Sequence, residues 1–146
     1  MLNYRPDLLN LPVYDGEEQD WNIKVDANEN PNNLPPLVLD RVLGRLAFQS
    51  FNRYPDMTMT GLREQIAAAN NLPAANVLIG SGSSELLAAL CYAFGGPGRK
   101  IMFPVPSFSM YTIYTKLAGS QPVPVELAAD YALPVDTLLT TAHREA

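Results

Sequence analysis

An α/β fold with a mixed, parallel-rich sheet is predicted by three features of this 146-residue chain. Apolar runs of strand length alternate with segments whose apolar residues recur at helical spacing. Proline and glycine, thirteen and nine of them, fall mainly in the connections, where they punctuate regular structure. The run Val77-Leu78-Ile79 passes through Gly80-Ser81-Gly82-Ser83-Ser84 into the apolar stretch Leu86–Phe94. Such a strand, turn and helix start gathers unpaired backbone N–H groups at one spot.

Each element follows from its own pattern. Met1–Asp20 has no period and holds Pro6, Pro12 and Asp15-Gly16, so it reads as an arm lying over the rest. Tyr14, within that arm, is placed either to reach a ligand or simply to pack. Trp21–Asp26 alternates apolar and polar and predicts a short half-buried strand. Ala27–Pro36 is rich in Asn and Pro and predicts a loop. Its amides, Asn28 and Asn30 among them, suit either the orientation of a polar substrate or the closing of Asx-turns. Leu39, Val42, Leu43, Leu46 and Ala47 predict a helix over Leu37–Phe48. Asn52–Asp56 is a turn, and Leu62, Ile66 and Ala69 mark a second helix over Gly61–Asn70.

Val77–Ile79 predicts a fully buried strand, with Ser83 and Ser84 as N-cap candidates for the helix that follows. That helix, Leu86–Phe94, has almost no polar face and is expected to be buried. Gly95-Gly96-Pro97-Gly98 stops it. Lys100–Phe103 predicts a strand, Met110–Leu117 a helix and Pro122–Leu127 another strand. Tyr131–Thr141 opens a further helix-bearing unit, and His143 beyond it is expected to be solvated. In α/β sheets ligands bind outside the carboxyl ends of the strands, which puts Phe108 on the same rim as Ser83 and Ser84. An aromatic face there suits stacking on a flat cofactor, or plain core packing.

The chemistry implied is a phosphate-bearing ligand, with an ordinary capped connection as the alternative. Glu85 stands where a dinucleotide fingerprint needs its third glycine, and no Gly-Lys-Ser/Thr follows to make a P-loop. A compact cofactor with one phosphate is the remaining reading. The net charge of −5 argues against nucleic acid or an anionic membrane as main partner. No apolar stretch is long enough to span a bilayer, and the first residues carry no signal-peptide pattern. The lone cysteine, Cys91, sits in an apolar helix and reads as a small hydrophobe. A cytoplasmic protein is expected.

Four segments carry a resemblance: Val25-Asp26-Ala27-Asn28-Glu29-Asn30-Pro31; Arg53-Tyr54-Pro55-Asp56 with Leu62-Arg63; Gly80–Leu86; and Pro104–Tyr111. In that order and spacing the chain resembles the N-terminal part of the histidinol-phosphate aminotransferases, a branch of the fold-type-I, pyridoxal-phosphate-dependent aminotransferases. The resemblance implies an arm and substrate-side loop over residues 1–33. Residues 34–146 would be the first, incomplete part of the cofactor-binding large domain. It implies that Ser83 and Ser84 hold the cofactor phosphate and that Phe108 stacks on its ring. Tyr54 would reach the cofactor phosphate of the neighbouring subunit, which implies a homodimer. Asn28 and Asn30 would line the substrate pocket. Tyr14 corresponds to a tyrosine near the substrate phosphate, although Val13 separates it from Pro12 here. Ser84 stands where many relatives carry Asp; it keeps the N–H and adds a hydroxyl.

The implied reaction moves an amino group between histidinol phosphate and 2-oxoglutarate. It needs a lysine to hold the cofactor aldehyde and a carboxylate at the ring nitrogen. Lys24, Lys100 and Lys116 match no such motif, so no catalytic residue is expected within this chain, and alone it is expected to be inactive. Two alternatives stand beside this reading. One is another fold-type-I enzyme, such as an aromatic aminotransferase or a threonine-phosphate decarboxylase. The other is a non-catalytic phosphate-binding α/β module.

Overall fold

A computed structural model describes residues 5–11, 22–25 and 27–145. Five α-helices and two strands are found among them: α1 (Pro36–Leu46), α2 (Thr60–Ala69), α3 (Gly82–Phe94), β1 (Lys100–Val105), α4 (Met110–Leu117), β2 (Gln121–Glu126) and α5 (Val135–Glu145). Short 3-10 turns at Pro6–Leu8 and Ala74–Asn76 complete the order. The fold is α/β, as expected.

β1, α4 and β2 form a βαβ unit in which the strands pair in parallel, from Lys100 opposite Gln121 to Val105 opposite Glu126. The core lies where α4 covers this pair. Phe103 and Val125 from the strands and Ile113 and Thr115 from α4 are all buried. Thr115 satisfies its hydroxyl by donating to the Tyr111 carbonyl at 2.7 Å, which is why a polar side chain is tolerated there.

The prolines of β2 decide its position in the sheet. The Gln121 N–H donates to the Arg99 carbonyl at 2.9 Å and the Leu127 N–H to the Val105 carbonyl at 2.8 Å. Odd-numbered residues of β2 therefore face β1, and Pro122 and Pro124 face the outer edge, which loses two N–H donors. That edge is closed to a further strand. On β1 the outward positions are Lys100, Met102 and Pro104, so the side that can accept another strand is β1's.

Three expectations are corrected. Asn22–Val25 forms no strand: it runs through bends, with Ile23 and Val25 80% and 85% exposed. Trp21 and Asp26 lie outside the described residues. Alternation yields a strand only beside a partner, and the described residues provide none there. Val77 is extended, with φ −109° and ψ 123°, yet Val77–Ile79 also lacks a ladder partner and is not a strand. Helix α3 is not buried. It packs on α4, while Leu90, Tyr92 and Phe94 are 48%, 60% and 70% exposed. Two strands and one helix offer too little surface to cover a helix that is apolar all round. The stripe on α1 is likewise exposed at Leu39, Val42, Leu43 and Leu46.

Candidate functional site

Helix α3 starts earlier than the serine pattern suggests. Its N-cap is Ser81, and Gly82 opens it with φ +76°, a conformation that glycine adopts without strain. Ser83 and Ser84 therefore sit in the first turn, not at the cap. The Glu85 carboxylate turns back and accepts the Ser81 N–H, and the Gly82 N–H goes to the Gly80 carbonyl at 2.8 Å. The N–H groups of Ser83 and Ser84 precede the first intrahelical bond and have no partner in the helix. Two amides and two hydroxyls are thus left at the positive end of the helix dipole.

A concavity of about 300 Å³ opens beside this turn, lined by Ser84, Phe108, Met110 and Tyr114. Residues 24 positions apart in the chain meet here. Ser84 arrives on the first turn of α3, and Phe108 follows the carboxyl end of β1, past the cis Val105–Pro106 bond. Phe108 is 42% exposed. Its edge-to-face contact with Tyr111, at 5.9 Å and 87°, fixes the ring's attitude. Tyr111 is in turn tilted against the core residue Phe103 at 5.9 Å. Ring position at the site is thereby tied to the core.

Other sequence-derived candidates lie elsewhere. Asn28 has φ +53° and lines a different concavity with Lys24, Val25 and Glu29. Asn30 uses its side-chain oxygen to accept the Asn32 N–H at 2.9 Å, an Asx-turn that shapes the loop. Tyr54 is 95% exposed. Tyr14 lies outside the described residues. Lys100 pairs with the Glu145 carboxylate at 3.1 Å, and Lys116 lines a concavity with Asp7 and Arg99, so neither amine is among the four residues around Ser84 and Phe108.

Residues 22–145 match the family profile described as aminotransferase class I and II. The chain belongs to the class I and II aminotransferases. This aminotransferase chain is 33% identical over 140 residues to a histidinol-phosphate aminotransferase of Thermoanaerobacter sp. (strain X514), covering 96% of the chain and 40% of that protein. It is 38% identical over 145 residues to histidinol-phosphate aminotransferase 2 of Burkholderia pseudomallei (strain 1710b), covering 97% and 41%. The chain therefore spans about two fifths of the length of these relatives. A crystal structure from Erwinia carotovora atroseptica, provisionally assigned as a histidinol-phosphate aminotransferase, superposes with TM-score 0.70 at 23% identity. It covers 82% of this chain and 34% of that one, which shows a shared fold. Among the described residues no helix is long and apolar enough to cross a membrane.

Composition and periodicity overlooked two supporting residues. Asp56 accepts the Thr58 N–H at 3.0 Å, the Thr58 hydroxyl at 2.6 Å and the Thr60 N–H at 3.0 Å, and so caps α2. Its signal was present as Asp-x-Thr-x-Thr ahead of a helical pattern. These bonds, the Thr58 hydroxyl first, hold the Asp56 carboxyl below its ordinary value of 3.8. A depressed folded-state value stabilises the fold above the unfolded carboxylate's pKa and is lost as pH falls through the folded one. Asp56→Asn in this aminotransferase chain is therefore expected to lower the thermal midpoint at neutral pH, with the gap to wild type closing in acid. A gap that stays constant on acidification would refute the cap. The second overlooked residue, Arg63, donates from α2 to the Val77 and Ala74 carbonyls.

Proposed function

We propose that this chain supplies the cofactor-phosphate and ring-stacking part of a pyridoxal-phosphate-dependent aminotransferase acting between histidinol phosphate and 2-oxoglutarate. The observation that carries the reading is the meeting of Ser84 and Phe108 around one concavity at the start of α3. The relatives named above support the substrate. The donor set fits a phosphate: amides and hydroxyls of Ser83 and Ser84 at a helix start, without a cation. Glu85 fits less well at first sight, since a carboxylate lies nearby. It is engaged by the N–H of Ser81, the residue just before α3.

Bound pyridoxal phosphate supplies an aldehyde that captures amino groups and a ring that accepts the electron pair released at the substrate carbon. In this chain Ser83 and Ser84 would hold the phosphate and Phe108 would press on the ring face and keep water off it. Tyr54, 95% exposed, would extend to the phosphate of a second subunit in a homodimer. Asn28 and Asn30 would border the substrate. The amine that holds the aldehyde and the carboxylate at the ring nitrogen would come from the remainder of the aminotransferase fold. We read the chain as the N-terminal portion, with the exposed faces of α1 and α3 as surfaces that remainder covers.

Equilibrium dialysis against pyridoxal phosphate and against pyridoxal tests this. Binding of the phosphorylated form is expected to be at least about tenfold tighter, the equivalent of one charge-assisted hydrogen bond of about 1.5 kcal/mol. Equal affinities would sink the phosphate assignment. Borohydride trapping of the cofactor on Lys24, Lys100 or Lys116 would contradict the external source of the amine.

A further inference from the structure

We propose that Arg63 is a positioning residue for the phosphate-binding turn. Arg63 projects from α2, half-buried, and its guanidinium forks across two backbone carbonyls. Nε donates to Val77 O at 3.0 Å and Nη2 to Ala74 O at 2.8 Å. These carbonyls lie at the start of the approach to Gly80, which is three residues beyond Val77. The approach, Val77–Ile79, has no strand ladder to hold it among the described residues. A concavity of about 400 Å³, lined by Met57, Met59, Arg63, Val77, Leu78 and others, lies between it and the turn before α2. The fork therefore holds this backbone from the α2 side. From the α3 side the hold is the Glu85 carboxylate on Ser81. Gly80 lies between the two holds. A Cβ at this position would come within 3.0 Å of both the Glu85 carboxylate and Leu86, so the turn has little slack.

Arg63 does not line the concavity of Ser84 and Phe108. It acts through backbone, on where the Ser83 and Ser84 amides point. A planar two-pronged donor suits this role, and a lysine ammonium, a single point donor, does not span both carbonyls in the same geometry. At this same N-terminal end of α2, Asp56, two residues after Tyr54, accepts the Thr60 N–H at 3.0 Å. The first turn of α2 thus meets both the backbone leading to the phosphate turn and the turn that follows Tyr54.

The functional consequence rests on the phosphate reading above, so two measurements are paired on wild type, Arg63→Gln and Arg63→Lys. The first is amide hydrogen exchange. Exchange at residues 80–84 is expected to accelerate in Arg63→Gln and partly in Arg63→Lys, with the far end of α3 around Cys91 unchanged. The second is the ratio of pyridoxal to pyridoxal-phosphate dissociation constants. It is expected to fall about tenfold in Arg63→Gln and less in Arg63→Lys, since one or two hydrogen bonds orient the donors. Uniform acceleration across α3, or a lower thermal midpoint with both readouts unmoved, would show a merely structural role and overturn the proposal. A wild type that does not distinguish the two ligands would defeat the phosphate reading instead. The exchange arm would still decide what Arg63 holds.

Discussion

Replacing Ser83 and Ser84 together with alanine is expected to weaken pyridoxal phosphate binding by on the order of a hundredfold while leaving pyridoxal binding nearly unchanged. A hydrogen bond to a charged acceptor contributes about 1.5–3 kcal/mol, and two on one phosphate are not strictly additive. Both hydroxyls lie in the first turn of α3 and neither is engaged by a described protein group, so the fold does not depend on them. The thermal midpoint should move little. Phe108→Ala separates the two ends of the ligand. Ring contacts of this kind contribute about 0.5–1.5 kcal/mol, so both ligands should lose up to about tenfold together. Titration of the double serine variant with both ligands is the measurement. A parallel loss for pyridoxal and its phosphate would mean that the serines do not face the phosphate.

Gly95→Ala is expected to be the most damaging single methyl in the chain. The backbone there is extended, φ −86° and ψ −163°, so conformation is not the obstacle. Room is. A Cβ would run into the Cys91 carbonyl oxygen and the Ser120 Oγ, with the Ala118 methyl 3.3 Å away. The Cys91 carbonyl accepts the Gly95 N–H at 2.8 Å and ends α3, and the Ser120 hydroxyl accepts the Gly96 N–H at 2.8 Å. Neither group can retreat without parting the end of α3 from the start of β2. Overpacking of this kind costs about 1–3 kcal/mol or more, which lowers the midpoint of a chain this size by roughly 5–10 °C. Gly119→Ala is the control. Gly119 has φ +77° but no atom closer than 3.6 Å to a Cβ, so only backbone strain of about 1 kcal/mol is expected. Thermal denaturation of both variants decides. If Gly119→Ala is the more damaging, the steric account of Gly95 is wrong.

The Gly80–Ser84 turn, the aromatic at position 108 and, apart from the strand expected at Val77–Ile79, the order of helices and strands from α1 to α5 were legible because each is a local matter. Apolar spacing set α2 within a residue of its expected bounds and α4 at its expected bounds. Gly95 and Gly96 ended α3 where the chain runs out of side chains suited to a helix. The start of α3 was misplaced because a positive-φ glycine at Gly82 can enter a helix, and the serine pattern cannot reveal that choice. Asp56 and Arg63 stood in the motifs but carried no assigned role, because their importance lies in which backbone groups they meet.

Residue pattern alone determined the helices, the strands β1 and β2 and the family resemblance, since periodicity, breakers and short motifs act over a few neighbouring residues. The folded arrangement settled the rest. It showed that Ser84 and Phe108 border one concavity, that Pro122 and Pro124 face outward and close one sheet edge, and that α3 keeps an uncovered apolar surface. Each of these is a relation between segments far apart in the chain. Pairing direction and burial depend on what stands opposite, and that partner is set only when the backbone comes together.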